Sequence, residues 1–553
     1  MQDYQRECST DGVQCSPDVQ KCSVLHVFRA DNLKKQNEGR KNMACTTILV
    51  GKAASYDGAP IIARNEDSAN GEFNPKRFEV VEPQQLPKVY RSVLSHVEVP
   101  LPQGAMRFTQ TPNAILNEGI WGEAGINAAN VAMSATETLT TNERVRGADP
   151  FVELQPAQGK EGEPGYVAEQ AGGIGEEDFV TLVLPFIHSA REGVLRLGEL
   201  LEKYGTYEMN GVAFSDENDI WWLETVGGHH WIARRVPDDC YVTMPNQLGI
   251  DDFDLDDAFS DQAENMCSAD LREFIEENHL NLSVDGDTGH INPRDAFGSH
   301  SDTDHVYNTP RAWFMQRFLN PYDEDWDTAE ALHSPESNDI PWARQPERKI
   351  TIEDIKYVLS SHYQGTAFDP YDNRGTAQTR GMYRPIGINR QSQLSVMEVR
   401  ADKPAAFRAV QWIAMGSNPF NTIMPYYTNV LSTPEYLENT TARVTTENYY
   451  WANRVIAALA DAHFKDNLAH LERYQEKTLA FGHQVLSATD KAAAQLVDST
   501  DFDNLELPEV QKLLEAANNK IATQLKKDTE ALLDSVLYTT SMHMRNGFFL
   551  SDN

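Results

Sequence analysis

The sequence predicts an α+β fold. Strand-like runs gather in clusters, beginning with "TTILVG" and "IIAR" and resuming at "GINAANVAMSAT", "GVAFSD", "DIWWLETV", "HHWIARRVP" and "YVTMP". A stretch of helical spacing, "FVTLVLPFIHSAREGVLRLGELLEKYG", interrupts them instead of alternating with each strand, and long amphipathic helices close the chain. Clustered strands interrupted by helices favour packed layers over a doubly wound parallel sheet, which needs a helix between successive strands.

The elements follow in order. Residues 1–42 carry "ECSTDGVQCSPDVQKCS" and then "VLHVFRADNLKKQNEGRKN" without sustained periodicity. Cys8, Cys15 and Cys22 suggest a metal or redox tail, but no nearby pattern completes a zinc site. Residues 1–44 are therefore read as a removable propeptide or as an upstream extension from a misassigned start codon. Met43-Ala44, with "EGR" shortly before it, favours the second.

From Thr46 a strand, a turn with Asp-Gly at its centre in "SYDGAP", and a second strand predict a β-hairpin. The helical stretch after "GGIGEE" should stop at Gly205, a residue suited to a helix end. "GGIGEE" itself matches no phosphate-cradling pattern and reads as a loop.

The region from about 250 to 350 is acidic and loop-rich, and is expected to be a solvated insertion within a main domain spanning 45–440. Its "HSDTDH" lacks the spaced ligands and distal Glu of a calcium loop. Strand character returns in "LSVMEVR" and "FRAVQWIAMG", and "TIMPYYTNVLSTPEYL" reads as a proline-punctuated loop. Residues 441–553 are expected to form a helical C-terminal region. His463 and His470 share a helix there, but seven residues apart they are not the four-residue pair of a helical zinc motif.

Composition narrows the function classes. Forty-eight basic against 83 acidic residues give a formal charge of −35, a field that repels phosphate backbones and anionic membranes. No nucleic-acid partner is expected. No apolar run approaches the ~20 residues of a membrane span, and the N-terminus lacks a basic-then-apolar export signal. With only Cys45, Cys240 and Cys267 in the body, a reducing cytoplasmic setting is expected.

The chain has no GxSxG elbow, HExxH, Walker loop, or GxGxxG after a strand. Cys45 remains. An isolated Cys beside a strand is more often structural than reactive, but its position changes that reading. If everything before it is removed, thiol and α-amine share one residue, and an amine with a pKa of about 7.7–8.0 serves as base for the adjacent nucleophile.

Here "MACTTILVGKAASYDGAPIIARNED" resembles the opening of the dipeptidase A family of cysteine peptidases, a branch of the N-terminal nucleophile hydrolases related to penicillin V acylase and bile salt hydrolase. "GEAGINAANVAMSATET", "ETVGGHHWIARRVPDDCYVTMPNQLGI", "YRPIGINRQSQLSVMEVR" and "QWIAMGSNPFNTIMPYY" follow in the family's order, so the resemblance covers approximately 43 to 540. It implies a four-layer αββα sandwich with a helical C-terminal region.

It also implies Cys45 as nucleophile, its liberated α-amine as base, and Arg64 and Asp67 of "ARNED" beside the sulfur. A cation there favours thiolate, and a carboxylate orients the ammonium. Asn246 corresponds to the oxyanion donor, and Arg384 completes the pocket, with Arg380 and Arg390 as alternatives. An Asn or Tyr of the related acylases falls in the segment matching "NVAMSATET", where Asn130 and Ser134 stay unassigned. His229 and His230 are read as structural.

The resemblance thus implies a dipeptidase acting on short peptides through a thioester acyl-enzyme, with no metal or other cofactor, an autocatalytic release of Cys45 and a homo-oligomeric state. An amidase of the same fold and a non-catalytic acidic binding protein are the alternatives.

Overall fold

The opening hairpin lies in the interior of the largest sheet. Thr46–Val50 pairs antiparallel with Ile61–Asp67, in the register Thr46↔Asn65 to Val50↔Ile61. The turn is closed by Gly58 at φ +87°, beside an Asp57 carboxylate that accepts from Ala59 N at 3.1 Å. The computed structural model describes residues 45–544 apart from Asn70, Asp285, Gly286 and Ala329. The expected leader and its cysteines lie outside the described residues.

The hairpin belongs to a seven-stranded antiparallel sheet. Its spatial order is Ala343–Arg344, Tyr241–Met244, Thr46–Val50, Ile61–Asp67, Gln391–Val399, Ala409–Met415 and Met424–Tyr427. A second antiparallel sheet of six strands runs Asn265–Cys267, Trp231–Arg235, Ile220–Thr225, Asn210–Ser215, Ala132–Thr138 and Ala124–Ile126. The α+β class is as expected.

Alternation along the strands decides what each face meets. Leu49, Ile62 and Met397 of the first sheet share a core with Ala132, Ala213 and Trp222 of the second. The opposite face of the first sheet, with Ile48, Ala63 and Val396, packs with Leu471, Val485, Leu514 and Ile521. Those residues come from the long helices Phe464–Ala493 and Pro508–Ser541. On the far side of the second sheet, Met133, Val212, Phe214 and Leu223 meet Phe179, Leu182, Val194 and Leu197. Close approach matters too: a Cβ on Gly125 would lie 1.9 Å from the Thr109 carbonyl oxygen.

Four local readings change in the folded chain. The helical stretch is two helices, Glu176–Val183 and Ala190–Tyr204. Pro185 directs a short 3₁₀ turn between them, and Ser189 caps the second by accepting from Glu192 N at 3.1 Å. That helix ends at Gly205, φ +68°, as expected. "GGIGEE" is no simple loop, because Gly175 is the N-cap of a helix whose first turn buries Glu176, Glu177 and Asp178.

"TIMPYY" supplies the strand Met424–Tyr427. Pro425 is tolerated because this strand is the sheet's edge, where one side needs no backbone donors. The acidic 250–350 stretch is not solvated throughout. Its helix Thr309–Leu319 buries Arg311, Trp313, Phe314 and Met315, and that helix reaches the site.

Candidate active site

Antiparallel register builds the site. Thr47 pairs with Arg64 on one side and with Met244 on the other. Cys45 directly precedes the strand Thr46–Val50, and Asn246 lies in a bend two residues past the end of the paired strand Tyr241–Met244. Cys45, Thr47 and Leu49 share one face of the strand, so the thiol points between the sheets with Leu49. Cys45 is fully buried.

Arg311 ties these strands together from the buried helix. Its Nη1 donates to the Cys45 carbonyl oxygen and, at 2.7 Å, to Thr46 Oγ1. Nη2 donates to Asn246 Oδ1 at 2.7 Å and Asn308 Oδ1 at 2.8 Å, and Nε donates to Tyr307 O at 2.8 Å. Since Oδ1 of Asn246 faces Arg311, its Nδ2 faces the other way, donating one hydrogen to Thr138 O at 2.9 Å and leaving the second for another acceptor. Glu224 fixes the chain just beyond, accepting from Gly249 N at 2.8 Å and Ile250 N at 3.3 Å.

Charge is dense and almost wholly buried. Arg64 Nη1 donates to Glu123 Oε2 at 3.0 Å, and Nη2 to Glu176 Oε1 at 3.2 Å. Lys76 pairs with Glu66 at 2.7 Å and lies 3.6 Å from Glu123. Arg384 pairs with Asp67, reaches Thr46 Oγ1 at 3.5 Å, and stacks over the Tyr307 ring. Burial pushes the Cys45 thiol well up, while Arg64 pulls it back toward thiolate. Burial also pushes the Glu137 carboxyl up to about 8 against the pull of Arg311 and Arg64, and lowers Arg311 to about 10.

Of the residues singled out from the sequence, Cys45, Arg64 and Asn246 gather at the end of the first strand, and Asp67 joins them through Arg384. Arg390 donates instead to Ser68 O at 2.5 Å and Tyr307 OH at 2.6 Å. Arg380 is exposed and bonds only to nearby carbonyls.

Asn130 sits in a turn at φ +58° and donates to Ala405 O at 2.9 Å. Ser134 is buried in the strand that carries Glu137. His229 and His230 both place Nδ1 on Asp149, at 3.0 and 2.8 Å, and those bonds outweigh burial to hold Asp149 below the usual carboxylate range.

Arg311 and Glu137 were missed. In "TPRAWFMQRFL" an arginine looks like the polar face of an ordinary helix; only its neighbours Trp313 to Met315, all buried, hinted otherwise.

The sequence pattern of Peptidase family C69 matches residues 44–477 of this chain. The chain belongs to that family. It is 65% identical over 539 residues to a dipeptidase of Bifidobacterium longum (strain NCC 2705), across 92% of this chain and 100% of the relative. It is 52% identical over 510 residues to a probable dipeptidase A of Streptococcus pyogenes serotype M3 (strain SSI-1), across 92% and 100%. With dipeptidase A of Lactobacillus helveticus it shares 44% over 501 residues, 90% of this chain and 97% of the relative.

C69 membership makes the chain a peptidase of the cysteine type, as the opening motif led us to expect. Among the described residues, one group has metal-ligand character: His463, Asp466 and His543 lie where the long C-terminal helices meet. It is largely exposed and contains none of the residues gathered around Cys45. No helix among the described residues is long and apolar enough to cross a membrane.

Proposed function

We propose that the protein is a dipeptidase that cleaves short peptides with Cys45 as nucleophile, once residues 1–44 have been removed. The observation that supports this reading best is the Arg311 bridge, one guanidinium that donates both to the Cys45 carbonyl oxygen and to Asn246 Oδ1 and so holds the Asn246 side chain close to the Cys45 backbone. The names of the relatives support the substrate class. The helix, sheet, sheet and helix packing order supports the four-layer sandwich of N-terminal nucleophile hydrolases.

In this mechanism the α-amine of Cys45 takes the thiol proton, and Arg64 favours the thiolate. Sulfur attacks the scissile carbonyl, forming the C–S bond, while Asn246 Nδ2 donates to the oxyanion. The α-ammonium then protonates the leaving amine as the C–N bond breaks, giving a thioester and a free amino acid. Water, deprotonated by the same amine, attacks the thioester; the C–S bond breaks and the carboxylic acid leaves.

Every proton passes through the α-amine, and no metal is required. A free amine on Cys45 demands cleavage after Ala44, which we assign to the chain itself. The described cysteines are all free thiols, which supports a reducing cytoplasmic setting.

Intact mass and N-terminal sequencing test the reading, on protein expressed from the full frame and from Met43. Both are expected to begin at Cys45, while Cys45→Ala keeps the preceding residues. Turnover of dipeptides should survive a chelator and vanish with iodoacetamide. Active protein that retains Ala44 would refute the α-amine mechanism.

A further inference from the structure

The carboxylates around Cys45 are not equivalent. Glu66 is held by Lys76, Glu123 by Arg64, Glu176 by Arg64, and Asp67 by Arg384. Among the described residues, Glu137 has no such cation in contact. Its Oε2 accepts from Thr47 Oγ1 at 2.8 Å, and its Oε1, in a side chain with no exposed surface, has no hydrogen-bond partner among the described residues.

The chain is built to put it there. Along Ala132–Thr138, Ala132 faces the other sheet, while Met133 and Ala135 face the helices behind. Strict alternation would send Glu137 the same way as Ala135. The register shifts between Ala135 and Glu137, and this bulge turns the carboxylate inward to Thr47, as bulges beside active sites do.

We infer that Glu137 is the anchor for the free α-ammonium of the substrate, and so the residue that makes this site select an unblocked peptide N-terminus. The inference rests on the dipeptidase reading. Thr47 lies two residues from Cys45 on the same strand face, about 6.5–7 Å along. A carbonyl carbon under attack stands about 3–3.5 Å from sulfur, and the α-nitrogen is two bonds further. An ammonium there comes within hydrogen-bond reach of Oε1.

Neighbouring arginines do not forbid a second cation, because Arg64 and Arg384 are already neutralised by carboxylates and Arg311 is turned to Cys45 O, Asn246 and Asn308. An arriving ammonium favours the ionised form of Glu137 and supplies it with the direct countercharge that the described residues around it do not.

The test compares alanyl-alanine with propionyl-alanine, which differ only in the amino group, using the mature full-length enzyme. Wild type is expected to favour alanyl-alanine by about 10²-fold or more in kcat/KM, and Glu137→Gln to bring that preference within about threefold. Intact mass and stoichiometric alkylation of Cys45 confirm that the variant has matured. If Glu137→Gln yields no mature protein, Thr47→Val, which removes the hydroxyl that aims the carboxylate, is expected to cut the preference at least tenfold.

Equal cleavage of both substrates by wild type leaves the dipeptidase reading standing and overturns the role of Glu137. So does a Glu137→Gln enzyme that slows on both in parallel, or a Thr47→Val enzyme with full preference. Wild type that cleaves neither refutes both readings.

Discussion

Arg311→Met is the most informative single change. The guanidinium is fully buried and makes five hydrogen bonds, to Cys45 O, Thr46 Oγ1, Asn246 Oδ1, Asn308 Oδ1 and Tyr307 O. Each orphaned buried acceptor costs about 1–3 kcal/mol. Removing the arginine also removes its own desolvation cost, which is considerable because no carboxylate among the described residues touches it and burial lowers it to about 10. The net loss of stability is therefore about 2–4 kcal/mol, well below the sum of five bonds.

Activity should suffer more than stability. Without Arg311 the Asn246 amide loses the donor to its Oδ1, and in the proposed mechanism, where Asn246 Nδ2 serves the oxyanion, misplacing that donor lowers rate by about 10²–10³. Arg311→Lys should recover little, since an ammonium cannot span both Cys45 O and Asn246 Oδ1 as a fork does. To separate self-processing from turnover, both variants and wild type are expressed as Met-Cys45 chains, so that ordinary methionine removal frees the α-amine. Urea melts give the stability term, and kcat with KM on a dipeptide gives the rate term. A mature Arg311→Met enzyme with kcat within threefold of wild type would refute this account of Asn246.

Three further outcomes are expected. Arg64→Met leaves Glu123 and Glu176 buried without their main cation and should cost about 3–5 kcal/mol; Glu176→Gln in the same chain should restore part of it, and an additive double variant in urea melts would refute the pairing. Stability should fall as pH rises from 5 to 7. Burial holds Glu137 and Glu398 up at about 8 and Glu224 at about 7, so the folded chain keeps protons that the unfolded chain has released, by up to about 1.4 kcal/mol per group per pH unit; the window stops at 7 because Lys356, lowered to about 7 by burial, opposes the trend above it. A flat or rising melting midpoint over that window would count against it. Gly125→Ala should cost about 1–3 kcal/mol, because the new methyl meets the Thr109 carbonyl; an unchanged melt would show that the strand can move aside.

Local chemistry made the opening legible. Asp-Gly between two β-branched runs specifies a hairpin, and the hairpin formed where its sequence placed it. Longer-range features were harder to read. Pro425 marks a loop by propensity, yet sits in a strand because that strand is an edge, a property of the whole sheet. The acidic 250–350 stretch looked solvated because charge dominates its average, while one eleven-residue helix within it carries Trp313, Phe314 and Arg311 inward.

The same division runs through the site. Cys45, Arg64 and Asp67 lie on one hairpin, so a contiguous motif announces them; Asn246 is brought in from a bend just past a neighbouring strand and Arg311 by helix packing, neither of which has a local signature. Glu137 is the extreme case, since period-2 reading assigns it to the wrong face and only the bulge reverses that. On the proposed mechanism the residues beside the thiol come as one motif, whereas Glu137, the group inferred to choose the substrate, is placed by a one-residue irregularity in a neighbouring sheet. On that reading, specificity can change by shifting a strand register or replacing one carboxylate, without touching Cys45 or the hairpin that presents it.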